Sequence, residues 1–139
     1  SLAQGMARLG DPSFLTPARS AAAKRLTSAW KAHPLLVSGT GRACADLVTA
    51  AKGQAVVKTG AEGVFTAVLP ERGWGVAVKI DDGATRAAET AMAKVLTLLD
   101  AAEEAAPEIA KHLNPPIRNW RADIVGERRP AEALARLPT

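Results

Sequence analysis

The sequence is poor in three things. It has one cysteine, no tyrosine and two phenylalanines in 139 residues. A lone Cys44 excludes a disulfide framework within the chain. No run of about 18 apolar residues occurs, so no segment is long enough to span a bilayer as a helix. The first residues, Ser1-Leu2-Ala3-Gln4-Gly5-Met6, lack the basic and apolar regions of a signal peptide. They look instead like the end of a helix, so the chain is expected to start mid-protein. Dense Lys/Arg runs with interleaved aromatics are also missing, which argues against nucleic acid as a partner. A cytoplasmic location and no membrane partner are the expectations from these absences.

What is present is an apolar fraction of 47% beside a charged fraction of 23%. That balance suits one soluble globular domain and is too apolar for disorder. Alanine dominates, with 30 copies. It is the best helix former but buries little area, so helices form readily around a thin core. Residues 1–139 are therefore expected to be a single domain or a half-domain. The net charge of +4 is unevenly spread. Residues 1–53 carry +5, residues 54–113 carry −3 and residues 114–139 carry +2.

Local patterns divide the chain into three parts. Residues 1–53 read as helical with a glycine loop. A short helix over Leu2–Leu9 stops at Gly10-Asp11-Pro12. Thr16 and Pro17 have the N-cap and first-turn positions of a second helix that runs to about Ala32 and ends at His33-Pro34. Ser38-Gly39-Thr40-Gly41-Arg42 is a loop, and residues 43–52 return to helical spacing before Gly53.

Residues 54–82 read as an antiparallel meander. Its strands are residues 54–58, 64–69 and 75–80, with turns at residues 60–63 and 70–73. Residues 83–139 read as a long helix from Ala84 to about Ala102, a helical piece over residues 107–113 and an irregular tail. Ala88, Met92, Val95, Leu96 and Leu99 form the apolar stripe of the long helix. Pro130 to Leu137 reads as a last helical turn. The fold class is thus α/β of the α+β type: a three-stranded antiparallel sheet flanked by helices.

The stretch that carries chemistry is Val56-Val57-Lys58-Thr59-Gly60-Ala61. Lys-(Thr/Ser)-Gly on a sheet strand belongs to the signature of serine penicillin-recognising enzymes. A strand holds the ammonium rigidly beside a nucleophile, where it relays a proton or lowers the cost of negative charge. Thr59 offers a hydroxyl to a substrate carboxylate, and Gly60 lets substrate approach the strand edge. The competing reading is an edge-strand lysine that blocks aggregation, and spacing alone favours it.

Longer blocks extend the comparison. His33-Pro34, Val37-Ser38-Gly39-Thr40-Gly41-Arg42, Lys58-Thr59-Gly60-Ala61-Glu62-Gly63-Val64 and Lys79-Ile80-Asp81-Asp82-Gly83 resemble the C-terminal half of the asparaginase II family, the thermolabile, rhizobial-type L-asparaginases. Val125-Gly126-Glu127-Arg128-Arg129-Pro130 is similar to that family's ending.

The resemblance implies a serine β-lactamase/glutaminase-like fold, of which this chain would be the C-terminal part. It implies hydrolysis of L-asparagine to L-aspartate and ammonia by a serine–lysine mechanism. Lys58 becomes the catalytic candidate, and Thr59, Gly60, Glu62, Arg42 and Cys44 the substrate-binding candidates. The family's nucleophilic serines and its zinc ligands lie upstream of the matched blocks. The resemblance thus implies no cofactor in this chain, zinc only in an intact enzyme, the N-terminal half of the same protein as a partner, and a homo-oligomer, such as a dimer. Where the family often has Asp-Thr after its glycine loop, this chain has Ala43-Cys44-Ala45-Asp46-Leu47. A catalytically silent scaffold or interaction fragment is the alternative.

The remaining candidates have plainer readings. Ser28-Ala29-Trp30-Lys31 has the Ser-x-x-Lys spacing, but it falls near a helix end and not at a helix start. Cys44 is either a thiol near a helix start or a small buried residue. His33 and His112 lack metal-ligand spacing. Glu62 reads as a substrate contact or a solvated turn carboxylate, and Arg86 as an i, i+4 partner of Asp82. The set Trp30, Trp74 and Trp120 is expected in the core.

Overall fold

The computed structural model describes residues 1–136. Among them it is a mixed α+β fold of seven helices, a three-stranded antiparallel sheet and a two-stranded hairpin. The sheet is the expected meander. β1 (Val56–Thr59) pairs with β2 (Val64–Leu69), which pairs with β3 (Trp74–Lys79). Val56, Val68 and Gly75 stand in one row across the sheet, and Lys58, Thr66 and Ala77 in the next on the same face.

α1 (Leu2–Gly10) packs against β2 and β3. Residues 1–6 are the beginning of this helix and not the end of one as expected: Ser1 caps it, its side chain accepting the Gln4 amide in a capping box. The packing is close because β3 has no side chain at position 75. A Cβ on Gly75 would lie 2.2 Å from both the Ala3 carbonyl oxygen and the Ala7 nitrogen.

α2 (Pro17–Ala32) begins at Pro17 as expected, although the Thr16 side chain makes no capping bond. Only Ala23 and Thr27 of α2 are buried. Pro34 then starts a further helix, α3 (Pro34–Ser38), where the sequence suggested a helix end and a loop. Proline is suited to the first position of a helix, so the same residue that stops α2 opens α3.

The core lies between the sheet and α4 (Ala43–Ala50), α5 (Thr85–Leu98) and α6 (Pro107–Leu113). Phe65, Leu47, Leu69, Met92, Leu96 and Ile109 are its largest buried side chains. The stripe of α5 faces inward as predicted, with Ala88, Met92 and Leu96 buried. The helix ends at Leu98, four residues before the expected Ala102, and Asp100 takes a positive φ of 50°.

The tail is not irregular. β4 (Pro116–Arg118) and β5 (Ile124–Glu127) form an antiparallel hairpin, followed by α7 (Glu132–Ala135). The predicted last turn is thus present over Glu132–Ala135, while Leu137 lies outside the described residues. The tryptophans also correct the expectation. Trp30 packs on the core, but Trp74 is half exposed and Trp120 fully so. Trp74 sits under the Arg72 guanidinium, 5.3 Å from the ring centroid.

Candidate active site

Lys58 and Thr59 end β1, the strand whose outer edge faces α4. Both are half-buried. The Lys58 Nζ donates to the Thr59 carbonyl at 3.2 Å, so the ammonium turns back along its own strand. The Thr66 hydroxyl donates to the Lys58 carbonyl at 3.1 Å. The Thr59 hydroxyl donates to the Gly60 carbonyl at 3.3 Å and lies 3.5 Å from the Val64 carbonyl. Both hydroxyls beside the lysine are therefore engaged with backbone acceptors, and neither is bonded to the ammonium.

Cys44 meets this strand directly. Its buried Sγ accepts the Thr59 amide at 3.2 Å. Cys44 sits in the first turn of α4, for which Arg42 is the N-cap residue. The amino-terminal end of α4, with its partial positive charge, thus stands beside the end of β1. Arg42 itself is exposed and follows the two left-handed residues Gly39 and Gly41, at φ 86° and 72°.

On the other side, the Gly60 amide donates to the Val64 carbonyl at 2.8 Å and closes the turn. Glu62 is exposed at φ 55°, next to Gly63 at φ 68°. Gly63 is required where it is. A Cβ there would lie 2.9 Å from the Ile80 Cβ and 3.0 Å from the Gly83 backbone. The turn at residues 60–63 therefore packs onto the turn at residues 81–83, and the Ile80 amide donates to the Gly63 carbonyl at 3.1 Å. Two blocks that the sequence singled out separately are neighbours in the fold. Asp82 accepts the Ala84 amide at 2.9 Å, and no ion pair joins it to Arg86 among the described residues.

The sequence reading missed one cluster. Asp46, on the same helix as Cys44, accepts from Lys111 Nζ at 2.6 Å and lies 2.8 Å from His112 Nε2. His112 is buried, and its carbonyl accepts the Thr90 hydroxyl at 2.8 Å. Burial by itself would raise the Asp46 pKa. The hydrogen bonds and charges of Lys111 and His112 outweigh it and hold the carboxyl below its ordinary value. The cluster ties α4 to α6. No local signal reveals it, because its members are more than 60 positions apart.

The other sequence candidates are not gathered here. Lys31 Nζ is 4.0 Å from Glu71, and no hydrogen bond joins it to Ser28 among the described residues. No group of three or more His, Cys, Asp or Glu side chains among the described residues could hold a metal ion. The zinc implied by the resemblance would have no three-ligand seat among them.

The first strand of the meander thus ends at Lys58-Thr59, with Gly60 next, and the start of α4 braces that end. The family model for L-asparaginase II matches residues 1–130, and the chain belongs to that family. It is an amidohydrolase family. No curated protein matches the chain. No helix among the described residues is long and apolar enough to cross a membrane.

Proposed function

We propose that this chain supplies the lysine face of an L-asparaginase active site. The observation that carries the reading is the Lys58-Thr59-Gly60 strand end, braced by the Cys44 contact at 3.2 Å and by the Thr66 hydroxyl. In this reading a serine attacks the side-chain amide carbon of L-asparagine. Lys58 either, as the free amine, takes the serine proton and delivers it to the departing ammonia, or, as the ammonium, holds the negative charge of the intermediate. The acyl intermediate is hydrolysed to L-aspartate. Thr59 and Gly60 line the substrate groove. Arg42 and Glu62 border it, the buried Cys44 braces its wall through the Thr59 amide, and the amino-terminal end of α4 favours the substrate's negative charge.

The nucleophile in this reading comes from residues other than those described. The two hydroxyls next to Lys58 donate to backbone carbonyls, and Ser28 has no bond to its lysine. On this reading the chain corresponds to the C-terminal half of a serine β-lactamase-like enzyme, and the 139 residues alone are catalytically silent. The same hydroxyl geometry favours the second reading, a silent scaffold of the same fold.

Ammonia release from L-asparagine tests the proposal, measured for the 139-residue chain and for the protein as its cell makes it. Release by the cellular protein only, with loss in Lys58→Ala, is the expected result. Release by the isolated chain that disappears in Ser28→Ala would instead make Ser28 and Lys31 the reacting pair. No release by the cellular protein would leave the scaffold reading.

A further inference from the structure

α4 is buried on nearly every side. Six of its eight residues are buried, and three of those six are alanine. A helix that is apolar all round has no single stripe to set its rotation. Alanines also form low ridges that interlock little with neighbouring elements.

Two polar contacts set the rotation instead. On the β1 side, the Cys44 Sγ accepts the Thr59 amide at 3.2 Å. On the α6 side, Asp46 Oδ2 is held by Lys111 Nζ at 2.6 Å and His112 Nε2 at 2.8 Å. Residues two apart on a helix project about 200° apart, so α4 is gripped from nearly opposite sides. α6 is itself tied down, since the His112 carbonyl accepts the hydroxyl of the buried Thr90 on α5. Of the acid–base pairs among the described residues, only Asp46 and His112 have both side chains mostly buried, at 18% and 11% exposure. A buried pair of this kind is weak evidence for stability, and its best-attested use is to fix register.

The grip reaches the candidate site through the backbone. The Arg42 carbonyl accepts the Ala45 amide at 3.1 Å and the Asp46 amide at 3.4 Å. A roll of α4 therefore carries Arg42 and Cys44 with it, while Lys58 stays paired with Thr66 in the sheet.

We propose that Asp46 is a positioning residue for substrate binding. Lys111 and His112 fix its carboxylate, which fixes the rotation of α4 and the separation of Arg42 from the Lys58-Thr59-Gly60 strand end. The proposal rests on the L-asparaginase reading of that strand end. Neither Asp46 nor α6 touches the substrate in it, and their loss is read in KM.

The first arm of the test uses the protein as its cell makes it. Ammonia release from L-asparagine is followed in wild type, Asp46→Ala, Lys111→Met and Lys52→Met, the last of which removes an exposed ion pair with Glu103. KM should rise about tenfold in Asp46→Ala and Lys111→Met, with kcat within about threefold of wild type, and Lys52→Met should match wild type. Lys111 is half exposed, so Lys111→Met carries the test where Asp46→Ala does not fold. The second arm is thiol modification of Cys44 in the same variants of the 139-residue chain, which needs no activity. Lys111→Met should speed it about tenfold or more, at a rate that low urea leaves unchanged, the mark of local opening at α4.

An unchanged KM in the folded variants, whether or not kcat falls, would overturn the proposal. So would a thiol rate that rises only with urea-dependent global opening, as a merely stabilising cluster would give. No ammonia from the wild-type protein would overturn the L-asparaginase reading alone, and the thiol rates would still decide whether Asp46 holds α4.

Discussion

The Thr59 amide donates to the Cys44 Sγ at 3.2 Å, which joins the end of β1 to the first turn of α4. An outward-facing amide at a strand edge is normally left to water or to another strand. Here a buried thiol takes it, which anchors the backbone next to Lys58.

This contact sets the behaviour of Cys44. Its side chain is 1% exposed, so a thiol reagent such as a dithiobis-nitrobenzoate should react only as the chain opens. Modification in native buffer should be slower than in urea by a large factor, and its rate should follow global or local opening. Cys44→Ala should cost about 1–3 kcal/mol in a urea titration, through a lost acceptor and a small cavity. Stoichiometric modification within seconds under native conditions would show that the thiol is not seated as described.

The Asp46 cluster predicts a pH dependence of stability. The folded-state pKa of Asp46 is depressed, so as pH falls the unfolded chain takes up the proton first. The contribution is complete above the ordinary aspartate range, near a pKa of about 4, and is lost as pH falls through the folded value. Asp46→Asn should therefore destabilise at neutral pH by about 1–3 kcal/mol. The gap between variant and wild type should close below about pH 4. Urea midpoints from about pH 3 to pH 7 give the comparison. A gap that is constant with pH would mean that the carboxylate charge is not what joins α4 to α6.

Much of this was legible from local signals. The β3 strand shows period-two patterning, turn residues separate it from β2, and α5 shows its stripe. The sequence reading failed where one residue serves two elements or where turn chemistry is polar. Pro34 stops one helix and starts another. The β4–β5 hairpin is held at its tip by Asn119, whose Oδ1 accepts the amides of Arg121 and Asp123. Its strand residues are all exposed, so no alternation marks them. Within the site, the tripeptide identified Lys58, Thr59 and Gly60. The Cys44 contact and the Asp46–His112 pair follow only from the packing of α4, which no spacing along the chain encodes.

Gly75 measures how tightly α1 is seated. Gly75→Ala places a methyl 2.2 Å from two backbone atoms of α1, neither of which can rotate away. The helix must lift from the sheet, at a cost of about 1–3 kcal/mol or more. Amide exchange should then quicken across Leu2–Gly10 while α5 stays protected. Unchanged protection of α1 would contradict the packing of this helix on β3.

The central claim is that Lys58 is the working lysine of an L-asparagine amidohydrolase. Its most direct measurement is ammonia release from L-asparagine by the protein as its cell makes it, with Lys58 intact, Lys58→Ala and Lys58→Arg. The lysine should be needed for the chemical step, so kcat should fall about 10²–10⁴-fold in Lys58→Ala. Lys58→Arg should stay impaired because a guanidinium does not accept the proton. The circular dichroism of both variants should match wild type. A Lys58→Ala protein that folds and turns over asparagine at the wild-type rate would contradict the account.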